Sequence, residues 1–297
     1  MKKKYIVSLI TEKNDYQREQ ATAAETVSRR LGVELEILYA DGDAITQSQQ
    51  LLMRIQTSSG PLPDGIVCQP VGTGLVHVAT AAVKAGIGWA VLNRDVDYVP
   101  QLWQEHKVPI LAVGLDQEEV GRIQGRQFGA LLREGGMILY IQGPAINPVV
   151  EARTRGMIAT KPDTVQVRMM RGRWTEESGF ETVSSWLTLA TSRQTPIRLV
   201  GSQNDAMAMG ARRAFQGTTG VARQWWAALP FTGCDACPGK GQEWVRSGSM
   251  AASVLIPPTA GIALEKLVTA FQSGVPPSMR AVVDPESFPP IDKLVKR

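Results

Sequence analysis

The sequence predicts an α/β protein built from two doubly wound parallel-sheet halves. Three observations predict it. Short apolar strands alternate with helix-length amphipathic segments along the 297 residues. Several strands are unbroken Ile/Val/Leu runs, the pattern of strands covered on both faces by helices. The alternation also runs twice, once from Lys4 to Arg94 and again from Met137 to Asp235.

The elements follow in order. Strands are predicted at 4–10 (KYIVSLI), 34–40, 65–70 (GIVCQP), 89–94 (WAVLNR), 109–116 (PILAVGLD), 137–143 (MILYIQG), 166–172, 197–205 (IRLVGSQND), 226–235 (WAALPFTGCD) and 249–256. Helices are predicted at 17–31, ending at Gly32 as a C-cap, then at 46–57 and at 75–85, ending at Gly86. Asp116 is placed to cap a helix over 117–133 that Gly135–Gly136 would stop. Further helices are predicted at 148–160, 175–191, 205–215, 240–247 and 258–271. Alternation of this kind implies right-handed crossovers and a parallel sheet. The stretch 109–116, lying between the halves, is a hinge candidate. Ligands of open parallel sheets collect beyond the C-terminal strand ends, so the residues just past each strand are the candidates for function.

Composition narrows the classes. Hydrophobic content of 43% and charged content of 20% describe an ordinary globular chain with a real core. The net charge of +4 is spread over scattered pairs such as Arg29–Arg30 and Arg212–Arg213. That distribution reads as solvated helix faces, and no nucleic-acid partner is expected. No apolar run reaches the length of a membrane span. The N-terminal MKKKYIVSLI has a basic start, but its apolar stretch is too short for a signal peptide and reads as a strand. Either Met1 is the native start of a cytoplasmic protein, or a signal peptide has been removed from a periplasmic or otherwise extracytoplasmic one.

The chemistry-bearing motifs are mostly exclusions. The loop TEKND after the first strand lacks the Gly-x-Gly-x-x-Gly dinucleotide fingerprint, and no Gly-x-Ser-x-Gly elbow exists. His77 and His106, the only two histidines, read as structural or exposed. In FTGCDACPGKG (231–241) five residues separate Gly233 from Gly239, and Gly rather than Ser or Thr follows Lys240, so a phosphate loop fails on both counts. A zinc site needs a second ligand pair, and Cys68 is the only other thiol. A disulfide between Cys234 and Cys237 remains open in an oxidising compartment. The stretch reads best as a strand end delivering Asp235, followed by a turn into the next helix.

Several ordered motifs resemble one family. LNRDVD (92–97), GLDQEEVGRIQGRQFGALL (114–132), EARTRGM (151–157), GSQNDAMAMGARRAF (201–215), TGCDA (232–236) and VRSGSMAASVLIPPTAGIALEKL (245–267) resemble type I periplasmic binding proteins of the ribose/galactose class. Those proteins are related in turn to the effector cores of LacI-type repressors. The resemblance implies two lobes joined by three hinge crossovers, with a ligand enclosed by closure. The lobes would comprise 1–114 with 257–284, and 115–256 with 285–297. It implies no cofactor and no bond made or broken, hence no enzyme. The expected ligand is a small polar molecule, a sugar or sugar alcohol. The expected partner is the membrane permease of an ABC transporter or, alternatively, a signalling receptor, with the protein itself a monomer. A repressor is disfavoured because no helix-turn-helix precedes Lys4.

By position, the resemblance assigns ligand contacts to Asn14, Tyr16, Asn93 and Arg94 in the first lobe. It assigns Arg153, Trp174, Asn204 and Asp235 to the second, and puts Ile256 beside the hinge. Arg, Asp and Asn match the donors and acceptors of sugar hydroxyls, and aromatic faces cover the ring. The sequence departs from the ribose pattern in having Asn93 where an Asp is usual and Ile256 where an amide side chain is usual. Structural readings stand beside these. Asn14 and Asn204 are equally suited to cap helices, Arg94 to pair with Asp95 at the surface, Arg153 to lie solvated on a helix, and Trp174 to sit in a core.

Overall fold

The computed structural model describes residues 2–56, 60–94, 96–189, 196–219, 224–226 and 228–294. The chain forms two units, Met1–Leu115 with Pro258–Val283, and Asp116–Pro257 with Asp284–Arg297. It therefore changes unit three times.

The first unit runs β1 (Lys4–Leu9), α1 (Asp15–Leu31), β2 (Glu34–Tyr39), α2 (Ala44–Ile55), β3 (Gly65–Cys68), α3 (Val76–Lys84), β4 (Gly88–Leu92), α4 (Tyr98–Glu105) and β5 (Ile110–Leu115). The second continues with α5 (Gln117–Leu131), β6 (Gly136–Gln142), α6 (Pro148–Thr160), β7 (Val165–Arg171), α7 (Glu176–Leu187), β8 (Ile197–Ser202), α8 (Asp205–Gln216), β9 (Phe231–Asp235), α9 (Gly241–Arg246) and β10 (Ala252–Leu255). The chain then returns to the first unit for α10 (Ala260–Ser273) and β11 (Arg280–Val283), and ends in the second with β12 (Glu286–Phe288) and a 3-10 turn at Ile291–Lys293.

The first sheet has the order β11-β5-β4-β3-β1-β2 and is parallel throughout. The second has the order β12-β10-β9-β8-β6-β7, with β12 antiparallel to β10. The continuous apolar runs are explained by burial on both faces. In β1, Tyr5, Val7 and Leu9 enter a core with α1 and α10, while Ile6 enters the opposite core with α2, α3 and α4. In the second unit Ile138 and Tyr140 face α5 and α6, while Leu139 and Ile141 face α7 and α8. Among the described residues no helix is long and apolar enough to cross a membrane.

Four expectations change. The hinge candidate 109–116 contains β5, hydrogen-bonded between β4 and β11; the chain changes unit only at its end. The strand expected over 226–235 begins at Phe231, and residues 224–226 are helical. Trp226 instead packs against Phe215 and Trp186, with ring centroids 5.0 and 6.0 Å away, and Pro230 has no N–H to offer a ladder. No helix was expected over 98–105, where α4 forms. Pro100 falls in the first helical turn, where the N–H groups have no intrahelical partner and a proline costs little. Each sheet also gains strands beyond the four expected, since β5 and β11 join the first, and β10 and β12 the second.

Candidate functional site

In the first unit the loops after β1, β3 and β4 share the C-terminal edge of the sheet. Three glutamines tie the first two together. The Gln17 side chain accepts from the Ile10 amide at 2.9 Å and donates to Gln69 Oε1 at 3.0 Å. Gln47 donates to Ser8 Oγ and to the Gln69 carbonyl, and accepts from the Val71 amide. Burial makes these bonds obligatory, because an unmade one would leave a desolvated amide.

Of the expected contacts here, Asn14 is the N-cap of α1, its side-chain oxygen accepting from the Gln17 amide at 3.2 Å. Asn93 adopts φ +57°, a left-handed conformation that Asn tolerates better than most residues. Its Nδ2 donates to the Tyr16 hydroxyl at 3.3 Å, and its Oδ1 accepts from Thr259 Oγ1 at 3.2 Å. Gln20 extends the chain, donating to Thr259 Oγ1 and accepting from the Ala260 amide at the start of α10. Asn93 thus joins the loop after β4 to α1 and α10. Arg94 differs from all of these. Its guanidinium has no hydrogen-bond or ion-pair partner among the described residues, and burial alone lowers its pKa. Asp95, the ion-pair partner considered for it, lies outside the described residues.

In the second unit the centre is Arg153, which is 6% exposed. The solvated reading of this residue is therefore wrong. Helix α6, capped by Asn147 with Pro148 in its first turn, carries it to the strand ends. Its Nε donates to Gln117 Oε1 at 2.9 Å, its Nη1 to the Gln203 carbonyl at 2.5 Å, and its guanidinium carbon lies 5.9 Å from the Trp174 ring centroid. The Gln203 side chain donates to the Val150 carbonyl and Thr154 Oγ1 and accepts from the Gly143 amide, locking the loops after β6 and β8 onto α6. Trp174 takes φ +65° and lays its ring against Gly143, where a Cβ would fall 2.1 Å from it. Asn204 caps α8 by accepting from the Met207 amide, and its Nδ2 donates to the Trp174 carbonyl at 2.8 Å. It positions the tryptophan, with both ends of its amide engaged. Ile256 is buried, and its amide donates to the Asp235 carbonyl at 3.2 Å.

Asp235 ends β9 at φ +108°, and its carboxylate has no hydrogen-bond partner among the described residues. Burial pushes it up to about 7 against the pull of Arg153. A residue to which sequence reasoning assigned no ligand contact, Asp205, organises this edge. Its Oδ1 accepts from Ser253 Oγ at 2.6 Å and its Oδ2 from the Ala236 amide at 2.8 Å. Burial, and then the charge of Asp235, raise its pKa. Gly233 and Gly241 exist to admit it, since a Cβ at either would stand about 2 Å from an Asp205 oxygen, at 2.2 and 2.1 Å. The glycines of FTGCDACPGKG thus enclose a buried carboxylate. Cys234 and Cys237 are buried and unbridged, and burial pushes the Cys234 thiol far up, out of the nucleophilic range.

The Asp235 environment has a testable sign. Its folded pKa lies above the unfolded carboxylate value of about 3.9. Between those values the folded state binds more protons, so its contribution to stability falls as pH rises from about 4 to about 7 and is then constant. Asp205, Arg153 and Cys234 face it and contribute to the same titration. The melting temperature of Asp235→Asn minus that of the wild type should therefore rise through this window and level off above it. A flat difference would place Asp235 in solvent.

A family model described as a periplasmic binding protein domain matches residues 5–267. The D-allose-binding periplasmic protein of Escherichia coli is 26% identical over 280 residues, 91% of this chain and 85% of its own. The D-ribose/D-allose-binding protein of Pseudomonas aeruginosa is 28% identical over 199 residues, 66% of this chain and 57% of its own. Among solved structures, a periplasmic solute-binding protein of an ABC transporter from Actinobacillus succinogenes 130z, with D-allose bound, superposes with a TM-score of 0.81 at 20% identity. That match covers 96% of this chain and 97% of that one, a shared fold.

Proposed function

The chain belongs to the periplasmic binding protein domain family, and from that premise we propose that it captures a small polar solute, a sugar or sugar alcohol, for delivery to an ABC transporter. Its setting is extracytoplasmic and its partner the transporter's membrane permease. Capture proceeds by the two units closing on the solute, driven by contacts that exist only in the closed state. No covalent chemistry is required of the protein.

The observation that carries this reading is that each unit brings an ionisable side chain with no hydrogen bond among the described residues to the C-terminal strand ends of its own sheet. These are Arg94 in the first and Asp235 in the second. A half-buried ionisable group whose hydrogen-bonding capacity is left unfilled is costly in isolation. Hydroxyl groups supply the donors and acceptors such side chains lack, and Trp174 beside Arg153 offers an aromatic face to the C–H side of a ring. The names of the relatives, two of them allose binders, point to the same class.

Thermal unfolding with a panel of pentoses, hexoses, sugar acids and polyols tests the reading. A bound solute raises the melting temperature by mass action, so at least one member should give a saturable shift. A panel without any shift would overturn the reading.

A further inference from the structure

We propose that Thr259 and Gln117 are positioning residues that pass solute contact to two of the places where the chain crosses between the units. The inference rests on the function proposed above and adds the route by which capture drives closure.

The chain changes unit after Leu115, after Pro257 and after Val283. At the first two crossings a site residue of each unit is hydrogen-bonded within two residues of the change. At the first, the Asn93 amide donates to the Val113 carbonyl at 2.9 Å, and Arg153 Nε donates to Gln117 Oε1 at 2.9 Å. At the second, the Ile256 amide donates to the Asp235 carbonyl at 3.2 Å, and Thr259 Oγ1 donates to Asn93 Oδ1 at 3.2 Å. Among the described residues the third crossing has no such bond. The Ser287 hydroxyl beyond it accepts from Gln127 and donates to the Pro289 carbonyl.

The second crossing concentrates the effect. Pro257 and Pro258 each hold φ near about −65°, and a residue before a proline is kept extended. Rotation is left to the ends of the segment, around Ile256 and Thr259, the two residues bonded to Asp235 and Asn93. Thr259 stands at the N-cap of α10, where a threonine hydroxyl ordinarily accepts from the amides of its own helix. Its side chain makes no capping bond. Gln20 takes that place, accepting from the Ala260 amide at 2.7 Å and donating to Thr259 Oγ1 at 3.1 Å, so the hydroxyl proton is directed at Asn93. Gln117 is released in the same way. Asp116 caps α5 through the Glu118 and Glu119 amides, and the glutamine side chain is left to hold Arg153. Gln20, Thr259 and Arg153 are buried, so these bonds are costly to leave unmade. A solute that draws Asn93, Arg153 or Asp235 toward itself therefore displaces the chain where it passes between the units.

The test follows the full chain with a probe: the pentose, hexose, sugar acid or polyol that gives the wild type its largest melting shift. Small-angle X-ray scattering with and without saturating probe reads compaction, calorimetric titration reads affinity, and melting without probe reads folding. The wild type should compact on saturation. Thr259→Val and Gln117→Met, which keep shape and lose the bond, should bind roughly tenfold more weakly and compact less even at saturation. Thr259→Ser, which keeps the hydroxyl, should restore both. Ser287→Ala, at the third crossing, should bind and compact as the wild type does. A purely structural role would lower the melting temperature and leave the saturated compaction unchanged. That result in both Thr259→Val and Gln117→Met would overturn the inference, as would equal loss of compaction in Ser287→Ala. A wild type that binds its probe without compacting would overturn it too and leave solute capture standing. A panel without any melting shift would overturn both.

Discussion

Asp235→Ala is expected to weaken solute binding by about a hundredfold or more, with no loss of stability at neutral pH. Asp235 makes no hydrogen bond that holds the fold, and burial already disfavours its charged form. Removing the carboxylate therefore costs the empty protein little and takes from the ligand its acceptor beside Arg153. Arg153→Ala should reduce binding as severely but also cost about 3 kcal/mol or more of stability. It leaves the Gln117 side chain and the Gln203 carbonyl without their donor and strips Asp235 of its cation. Titration calorimetry with chemical denaturation separates the two effects. Wild-type affinity in both variants would remove this cluster from the site, and an unchanged denaturation midpoint in Arg153→Ala would deny it the anchoring role.

Gly156→Ala is expected to destabilise the protein by about 3 kcal/mol, whereas alanine for glycine inside a helix normally stabilises by about 1 kcal/mol. Helices α5 and α6 cross with their backbones in contact. A Cβ on Gly156 would stand 1.9 Å from the Glu118 carbonyl oxygen, and one on Gly121 would stand 2.0 Å from that of Arg153. Neither obstacle is a side chain that can swing away. The pair α7 and α8 repeats the arrangement, with a Cβ on Gly210 standing 1.9 Å from the Glu176 carbonyl oxygen. Gly210→Ala should cost a similar amount. Gly121→Ala should also weaken solute binding, because α6 must retreat and carries Arg153 with it. Gly74→Ala is the control: nothing lies within 4 Å of its Cβ position, and its denaturation midpoint should barely move. Equal midpoints for Gly74→Ala and Gly156→Ala would show that the helices separate at little cost.

The strands buried on both faces were legible because burial leaves a local trace. Ile66–Cys68 and Trp89–Leu92 are apolar without interruption, and the glycines and caps after them punctuate the helices. The two edge strands near the C-terminus, β11 and β12, were not legible. Arg280–Val283 is short, half-exposed and paired with β5, far away in the chain, so nothing local marks it. The same limit applies to the site. Asn14 and Asn204 could be read equally as caps or as ligand contacts, and hydrogen bonds to the Gln17 and Met207 amides show both to be caps. Gln203 and Asp205 carry much of the organisation of the second unit, yet their sequence signal is only a polar run after a strand.

Residue order alone sufficed to identify the α/β alternation, the family resemblance and the positions just past the strands where charged groups gather. These depend on periodicity and on nearest neighbours, which a chain displays along its length. Which of those groups remain unsatisfied was decided only by folding. Arg153 is occupied, Asn93 is spent on a bridge, Asp205 is enclosed by two glycines, and Arg94 has no ion-pair partner among the described residues. Desolvation and hydrogen bonding are set by atoms brought together from distant segments, so the ionic character of the site exists only in three dimensions.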